Sequence, residues 1–202
     1  MRQIGVFGAS FNPPTLGHQD VVNQALEHFD EILLVPSLSH PFQKKLAPIE
    51  HRLKMLTLFL TNWQRADQQN KIKIYNIEAE IQTEHPESTF IYTYDVLSEI
   101  EKAYQTLHEP FQIHFIMGPD NASPRVWHQF YRYQDIEKQW PLFIAKEQIP
   151  IHSTSVKENI AKYQNDPSLL KKVLMTMVGE PIAQYILQHH LYHKIQKEST
   201  YG

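Results

Sequence analysis

Between Gln3 and Val35 the hydrophobic period of the chain changes twice, and this constrains the fold more than any other feature. Gln3–Phe7 is a short apolar run stopped at Gly8, the pattern of a buried strand. Ala9–Leu16 carries Pro13 and Pro14 and cannot be regular helix. From His18 to Phe29, the residues Val21, Val22, Ala25, Leu26 and Phe29 recur at helical spacing. Glu31–Val35 is a second apolar run, stopped by Pro36. Strand, loop, helix and strand in this order form a βαβ unit, whose natural consequence is a parallel sheet.

The alternation continues. Helical periodicity covers Ile49–Trp63 and Tyr92–Tyr104, and a strand is predicted over Lys71–Ile81, where apolar and polar residues alternate. Phe111–Met117 and Pro141–Ala145 are further strands, with a short aromatic helix predicted between them over Trp127–Ile136. Helix is predicted from about Val156, then over Pro167–Val178 and Pro181–His190. The expected architecture is α/β, a doubly wound parallel sheet forming a single domain over 1–202, with 151–202 as a small helical C-terminal cap.

Composition narrows the function. The formal charge is −3 and the pI about 6.4, so no global basic field points to nucleic acid. Cysteine is absent, which removes thiolate catalysis and Cys-type zinc sites. No apolar run approaches membrane-spanning length and the N-terminus lacks the apolar core of a signal peptide, so a cytoplasmic protein is expected. His189 and His193 stand i, i+4, but no acidic partner completes a metal motif, and no metal site is expected there.

The chemistry is expected between the first strand and the first helix, in Gly8-Ala-Ser-Phe-Asn-Pro-Pro-Thr-Leu-Gly-His18. A turn at that place presents backbone N–H groups, and the helix start adds partial positive charge; both favour phosphate. Gly17 and His18 fall at the helix start, where an imidazole can donate to a phosphate oxygen as charge builds. There is no G-K-[ST] of a Walker A loop and no G-x-G-x-x-G dinucleotide fingerprint.

The segment resembles the G-G-[ST]-F-D-P-x-H-x-G-H signature of the HxGH nucleotidyltransferases, with Ala9, Asn12 and Thr15 as its departures. The family's second signature, I-S-S-T-x-I-R, is matched by Ile151-His-Ser-Thr-Ser-Val-Lys157, with lysine in place of arginine. Glu50-His-Arg-Leu-Lys-Met-Leu56, Ile91-Tyr-Thr-Tyr-Asp-Val-Leu97, Ile116-Met-Gly-Pro-Asp120 and the ending from Val178 to Tyr192 resemble segments of one branch, the nicotinate (nicotinamide) mononucleotide adenylyltransferases.

The resemblance implies a Rossmann-like fold and transfer of AMP from ATP, with Mg²⁺, to a pyridine mononucleotide, releasing pyrophosphate. It implies catalytic roles for His18, Thr15 and Lys157. ATP would meet Gly8, Ser10, Phe11, Gly17, His18, Gly118, Asp120, Ser153, Thr154 and Ser155, together with Lys44 or Lys45, between which the sequence does not choose. Tyr92, Thr93 and Trp127 would frame the mononucleotide. Read as residues alone, Asp120 serves equally as a loop or cap residue, and Trp127 as core packing beside Phe130, Tyr131 and Tyr133. Two rivals stay open: a sister enzyme using another phosphorylated acceptor, and a non-catalytic nucleotide sensor.

Overall fold

Five parallel strands run β1 (Arg2–Ala9), β2 (Glu31–Pro36), β3 (Ile72–Ile74), β4 (Phe111–Met117) and β5 (Leu142–Ile144), in the sheet order β3-β2-β1-β4-β5. The computed structural model describes residues 1–39, 45–61, 63 and 67–193. The helices are α1 (Leu16–Ala25), α2 (Ile49–Thr61), α3 (Ile77–Glu84), α4 (Thr93–Gln105), α5 (Pro124–Trp127), α6 (Tyr133–Gln139), α7 (Ser153–Tyr163), α8 (Pro167–Val178) and α9 (Glu180–Gln188). No helix among the described residues is long and apolar enough to cross a membrane.

The period of two along the strands builds two cores. Ile4 and Val6, Leu33 and Val35, and Ile113, Phe115 and Met117 face one layer, with residues of α3 to α6. Phe7, Ile32, Leu34 and Ile116 face the other, with α1, α2 and the C-terminal helices. Val156, Ile160, Leu174, Ala183 and Ile186 are fully buried in that second core, so α7 to α9 belong to the layer that covers the sheet. Sheet order explains the layers. The chain moves outward from β1 through β2 to β3, then returns to the far side of β1 as β4. Right-handed crossovers put helices of the two directions on opposite faces. The reversal lies between β1 and β4, and ligand crevices open beyond the carboxyl ends of strands at such a point.

Two predicted elements differ from what forms. The alternation over Lys71–Ile81 yields only the short β3, and the chain turns at Asn76 into α3. Ile77 and Ile81 are buried at a spacing of four, a helical pair that also fits a period of two over so short a run. The helix expected over Trp127–Ile136 is broken into α5 and α6 by a turn in which Arg132 adopts a left-handed φ of 56°. The arginine is held there by Asp135 at 2.6 Å and by the Tyr94 ring, 3.8 Å below its guanidinium.

At the opposite end of the sheet, Glu31 opens β2 with a side chain only 2% exposed. Arg2 at 3.0 Å, Lys73 and the Tyr104 hydroxyl at 2.5 Å all point at its carboxylate. Burial pushes this carboxyl up, but Lys73, Tyr104 and Arg2 outweigh it and hold it below the ordinary carboxylate range. A depressed folded-state pKa contributes stability above the unfolded value that is lost as pH falls through the folded one. Glu31→Gln is therefore expected to lower stability by about 1–2 kcal/mol at neutral pH, since the cations are partly exposed. Urea melts of both proteins between neutrality and acid pH would check this: the gap should close toward the acid end.

Candidate active site

Beyond the ends of β1 and β4 lies a cavity of about 580 Å³. The N-termini of α1, α4 and α7 open onto it, through Thr15 and Gly17, Tyr92 and Thr93, and Ser153 and Thr154. Helix starts carry unpaired N–H groups and partial positive charge, so their convergence favours an anionic ligand.

The α1 start is shaped by the segment before α7. The Thr15 hydroxyl donates to the Ile151 carbonyl at 2.9 Å, and the Ser153 hydroxyl donates to the Pro13 carbonyl at 2.8 Å. Between them Gly17 lies so close that a Cβ would sit 2.3 Å from the Ile151 carbonyl oxygen. The two sequence signatures are thus one physical contact. Gly8, by contrast, has nothing within 4 Å of where a Cβ would stand.

That contact also fixes His18. The Thr15 N–H donates to Nδ1 at 3.0 Å, and the Thr15 hydroxyl oxygen lies 2.8 Å from the same nitrogen. Nδ1 is therefore an acceptor, which assigns the proton to Nε2. Burial pushes the imidazole pKa down to about 4; Asp120 opposes the shift and His152 adds to it. At neutral pH the ring is uncharged, with its Nε2–H left for the cavity. Phe11, fully buried with a left-handed φ of 44°, packs its ring 5.1 Å from the imidazole and supports it from behind.

Arg52 braces the next loops. It is 1% exposed and donates to the carbonyls of Ala47 at 2.9 Å, Ser10 at 2.9 Å and Ser37 at 2.6 Å. Asn12 does similar work, donating to the Lys45 carbonyl at 3.3 Å and accepting from the Ala47 N–H at 3.0 Å. An aspartate could not donate the first of these bonds. Glu78, on α3, lines the cavity and accepts from the Leu38 N–H at 2.7 Å; burial pushes its carboxyl up to about 7, against the pull of Leu38 and Arg52.

Of the residues expected to meet ligands, Gly8, Ser10, Thr15, Gly17, His18, Tyr92, Thr93, Gly118, Asp120, Ser153 and Thr154 line this one cavity. Others stand elsewhere. Phe11 lies behind His18, and Ser155 closes a local turn, accepting the His152 N–H and donating to the His152 carbonyl at 2.7 Å. Lys157, one turn into α7, does not line the cavity. Lys45 is exposed, held there through its backbone by Asn12, and Lys44 lies outside the described residues. Trp127 is 5% exposed, stacked on Phe115 in the core, with its indole N–H donated to Glu137 at 2.7 Å. It does not line the cavity. Phe7, Tyr92, Phe115, Phe130 and Tyr131 line the cavity, with the two tyrosine rings 4.7 Å apart. Tyr131 stands 50% exposed in the turn set by Arg132. Sequence reasoning missed it because a continuous helix hides that turn. Among the described lining residues there is no lysine or arginine, while Asp20, Glu78, Asp120 and Glu147 are acidic.

Comparisons with known proteins agree with this fold. The cytidylyltransferase-like family pattern matches residues 6–159. A Lactiplantibacillus plantarum protein assigned as a nicotinate-nucleotide adenylyltransferase is 26% identical over 95% of this chain and 88% of its own. An Oceanobacillus iheyensis protein with the same assignment is 23% identical over 95% and 97%. Among solved structures, a Vibrio parahaemolyticus protein assigned to that activity superposes with a TM-score of 0.69 at 26% identity, covering 93% of this chain and 99% of that one. The Plasmodium falciparum nicotinic acid mononucleotide adenylyltransferase complexed with NaAD superposes at 0.70 with 21% identity, covering 95% and 98%, and supports the fold.

Gly17→Ala tests the contact between the signatures. The added methyl meets backbone that cannot step aside, so a loss of about 2–3 kcal/mol is expected, with activity falling more than the folded fraction explains. Thermal melts beside initial rates on the folded protein would separate the two effects.

Proposed function

This chain belongs to the cytidylyltransferase-like family, and we propose that it transfers AMP from ATP to nicotinate mononucleotide. The observation that carries the reading is His18, held uncharged with its Nε2–H turned to the cavity where the α1 and α7 N-termini meet. The acceptor phosphate supplies the nucleophilic oxygen. It bonds to the α-phosphorus as the bond from that phosphorus to the bridging oxygen breaks, and pyrophosphate leaves with the electron pair. No general base is needed, so catalysis consists of positioning and charge stabilisation.

His18 donates to an α-phosphate oxygen, and the helix starts at Gly17 and at Ser153–Thr154 hold the phosphates between them. Asp120 accepts from the adenosine ribose. Tyr131 and Tyr92 flank the pyridine ring, with the α4 N-terminus at Thr93 beside its carboxylate. ATP enters as its Mg²⁺ complex, which suits a cavity whose described lining has four acidic side chains and no lysine or arginine. The names carried by relatives at 26% identity across most of both chains support this choice of acceptor.

The test is pyrophosphate release with MgATP and, in parallel, nicotinate mononucleotide, nicotinamide mononucleotide and phosphopantetheine. The nicotinate nucleotide should be the best acceptor. His18→Ala should lower kcat by about 10²–10³-fold with a small change in either KM. Faster turnover with phosphopantetheine would move the chain to a sister activity, and ATP binding without turnover on any acceptor would make it a sensor.

The aromatic assignment yields a separate expectation. Tyr131→Ala should raise the mononucleotide KM about tenfold and leave the ATP KM nearly unchanged. Trp127→Phe should spare that KM and lower the melting temperature, because Glu137 loses its donor.

A further inference from the structure

At the mouth of the cavity, three side chains from separate parts of the chain meet. Asp120 lies in the turn after β4, Glu147 in the segment after β5, and His152 immediately before α7. His152 Nδ1 stands 3.1 Å from Asp120 Oδ2, and His152 Nε2 stands 3.1 Å from Glu147 Oε1. A neutral imidazole carries one N–H; only the imidazolium donates to both carboxylates. We propose that His152 is a positioning residue for ATP: protonated, it straps Asp120 to Glu147 and leaves the second Asp120 oxygen presented to the ribose.

The backbones beneath these groups are fixed independently. Asp20 accepts from the Gln148 N–H at 3.1 Å, and the Gln24 amide bonds the Lys146 carbonyl at 2.8 Å and the Lys146 N–H at 3.0 Å. Glu147 is thereby clipped to α1. His152 is anchored by Ser155 on one side and by the Ile151 N–H bond to the Ile149 carbonyl at 2.8 Å on the other. The Asp120 side chain, 69% exposed, would sample several rotamers without a partner. Fixing it before the ligand arrives removes part of the ordering cost of binding.

Charge gives a second reason. ATP brings its phosphates past two carboxylates, and the described lining offers no lysine or arginine to offset them. An imidazolium between the carboxylates cancels one of the two negative charges. The matching signature has serine at this place, and one hydroxyl proton cannot serve two carboxylates. Both ring nitrogens face carboxylate oxygens, which is the arrangement of a proton-carrying bridge; a cation site would need one lone pair turned between the acidic groups.

The proposal rests on the reading of this cavity as an ATP site, and its test separates the two. Calorimetric ATP binding and steady-state rates would be measured on the full chain as wild type, His152→Ala, His152→Gln, Asp120→Ala and the double variant His152→Ala/Asp120→Ala. His152→Ala should weaken ATP binding and raise the ATP KM about tenfold, the worth of a charged hydrogen bond, with kcat and the mononucleotide KM within about twofold. In the Asp120→Ala background the same change should cost less than about twofold.

The strap needs an N–H on both ring nitrogens, so the wild-type ATP KM should rise with pH more steeply than that of His152→Gln. Asp120, Glu147 and His18 face the ring, and Glu78 titrates near pH 7 elsewhere in the cavity. All four remain in His152→Gln, so the difference between the wild-type and His152→Gln profiles isolates the strap. His152→Gln also serves if the alanine variant does not fold. An unchanged ATP affinity, equal costs in the two backgrounds, or superimposable pH profiles would overturn the strap. So would nucleotide-free Mn²⁺ binding lost in His152→Ala, in favour of a cation site. No ATP binding by the wild type would overturn the adenylyltransferase reading and this proposal together.

Discussion

The site depends on one close approach, that of the α1 N-terminus to the Ile149–Ser153 segment. The missing side chain of Gly17 allows the backbones to touch, and the Thr15 hydroxyl locks the distance by donating to the Ile151 carbonyl. Everything nearer the ligand inherits its place from this contact. Thr15 orients His18 through Nδ1, and Ser153 returns the favour to the turn through Pro13. Two helix starts that are 136 residues apart in sequence, counted from Thr15 to Ile151, are thereby aimed into one space. A threonine suits this position because its single hydroxyl lies near three groups at once: a carbonyl, the imidazole nitrogen and the His18 N–H.

The electrostatics follow from the same economy. The donors that line this cavity are helix ends and imidazoles, while the buried guanidinium of Arg52 is used on three carbonyls of the surrounding loops. A uniformly cationic pocket would bind triphosphate and pyrophosphate alike. A pocket with fixed N–H donors and several carboxylates instead favours a phosphate whose charge is already shared with a cation, and lets product depart. His18 being neutral fits the proposed transfer: a hydrogen-bond donor aimed at the transferring group would stabilise charge as it develops without holding the ground state strongly.

Much of this was legible in sequence because it is local. The period change around Gly8–His18 located the turn, and the apolar runs located the strands. What stayed hidden is set by tertiary geometry. Ile72 and Ile74 keep a period of two, while Ile77 and Ile81 lie four apart, a spacing that fits either a strand or a helix over so short a run. Tyr131 reaches the cavity because Arg132 adopts a backbone conformation that its residue type does not announce, stabilised by Asp135 and Tyr94. The indole partner of Trp127, Glu137, lies on the next helix, a contact that spacing along the chain does not announce. His152 acquires its meaning only when the ends of β4 and β5 bring Asp120 and Glu147 to either side of it.

The two ends of the sheet treat buried acids in opposite ways, and the contrast shows where function was allowed to cost stability. At the amino ends of the strands, Glu31 is surrounded by two cations and a phenol, and its charge is fully used by the fold. At the carboxyl ends, among the described residues, Glu78 has a backbone N–H at 2.7 Å and the field of Arg52, too little to keep a buried carboxyl in its ordinary range. A fold selected for stability alone would pair Glu78 as it pairs Glu31. Glu78 and the imidazole of His18, depressed to about 4, line the same cavity, and perturbed groups of this kind gather at functional sites.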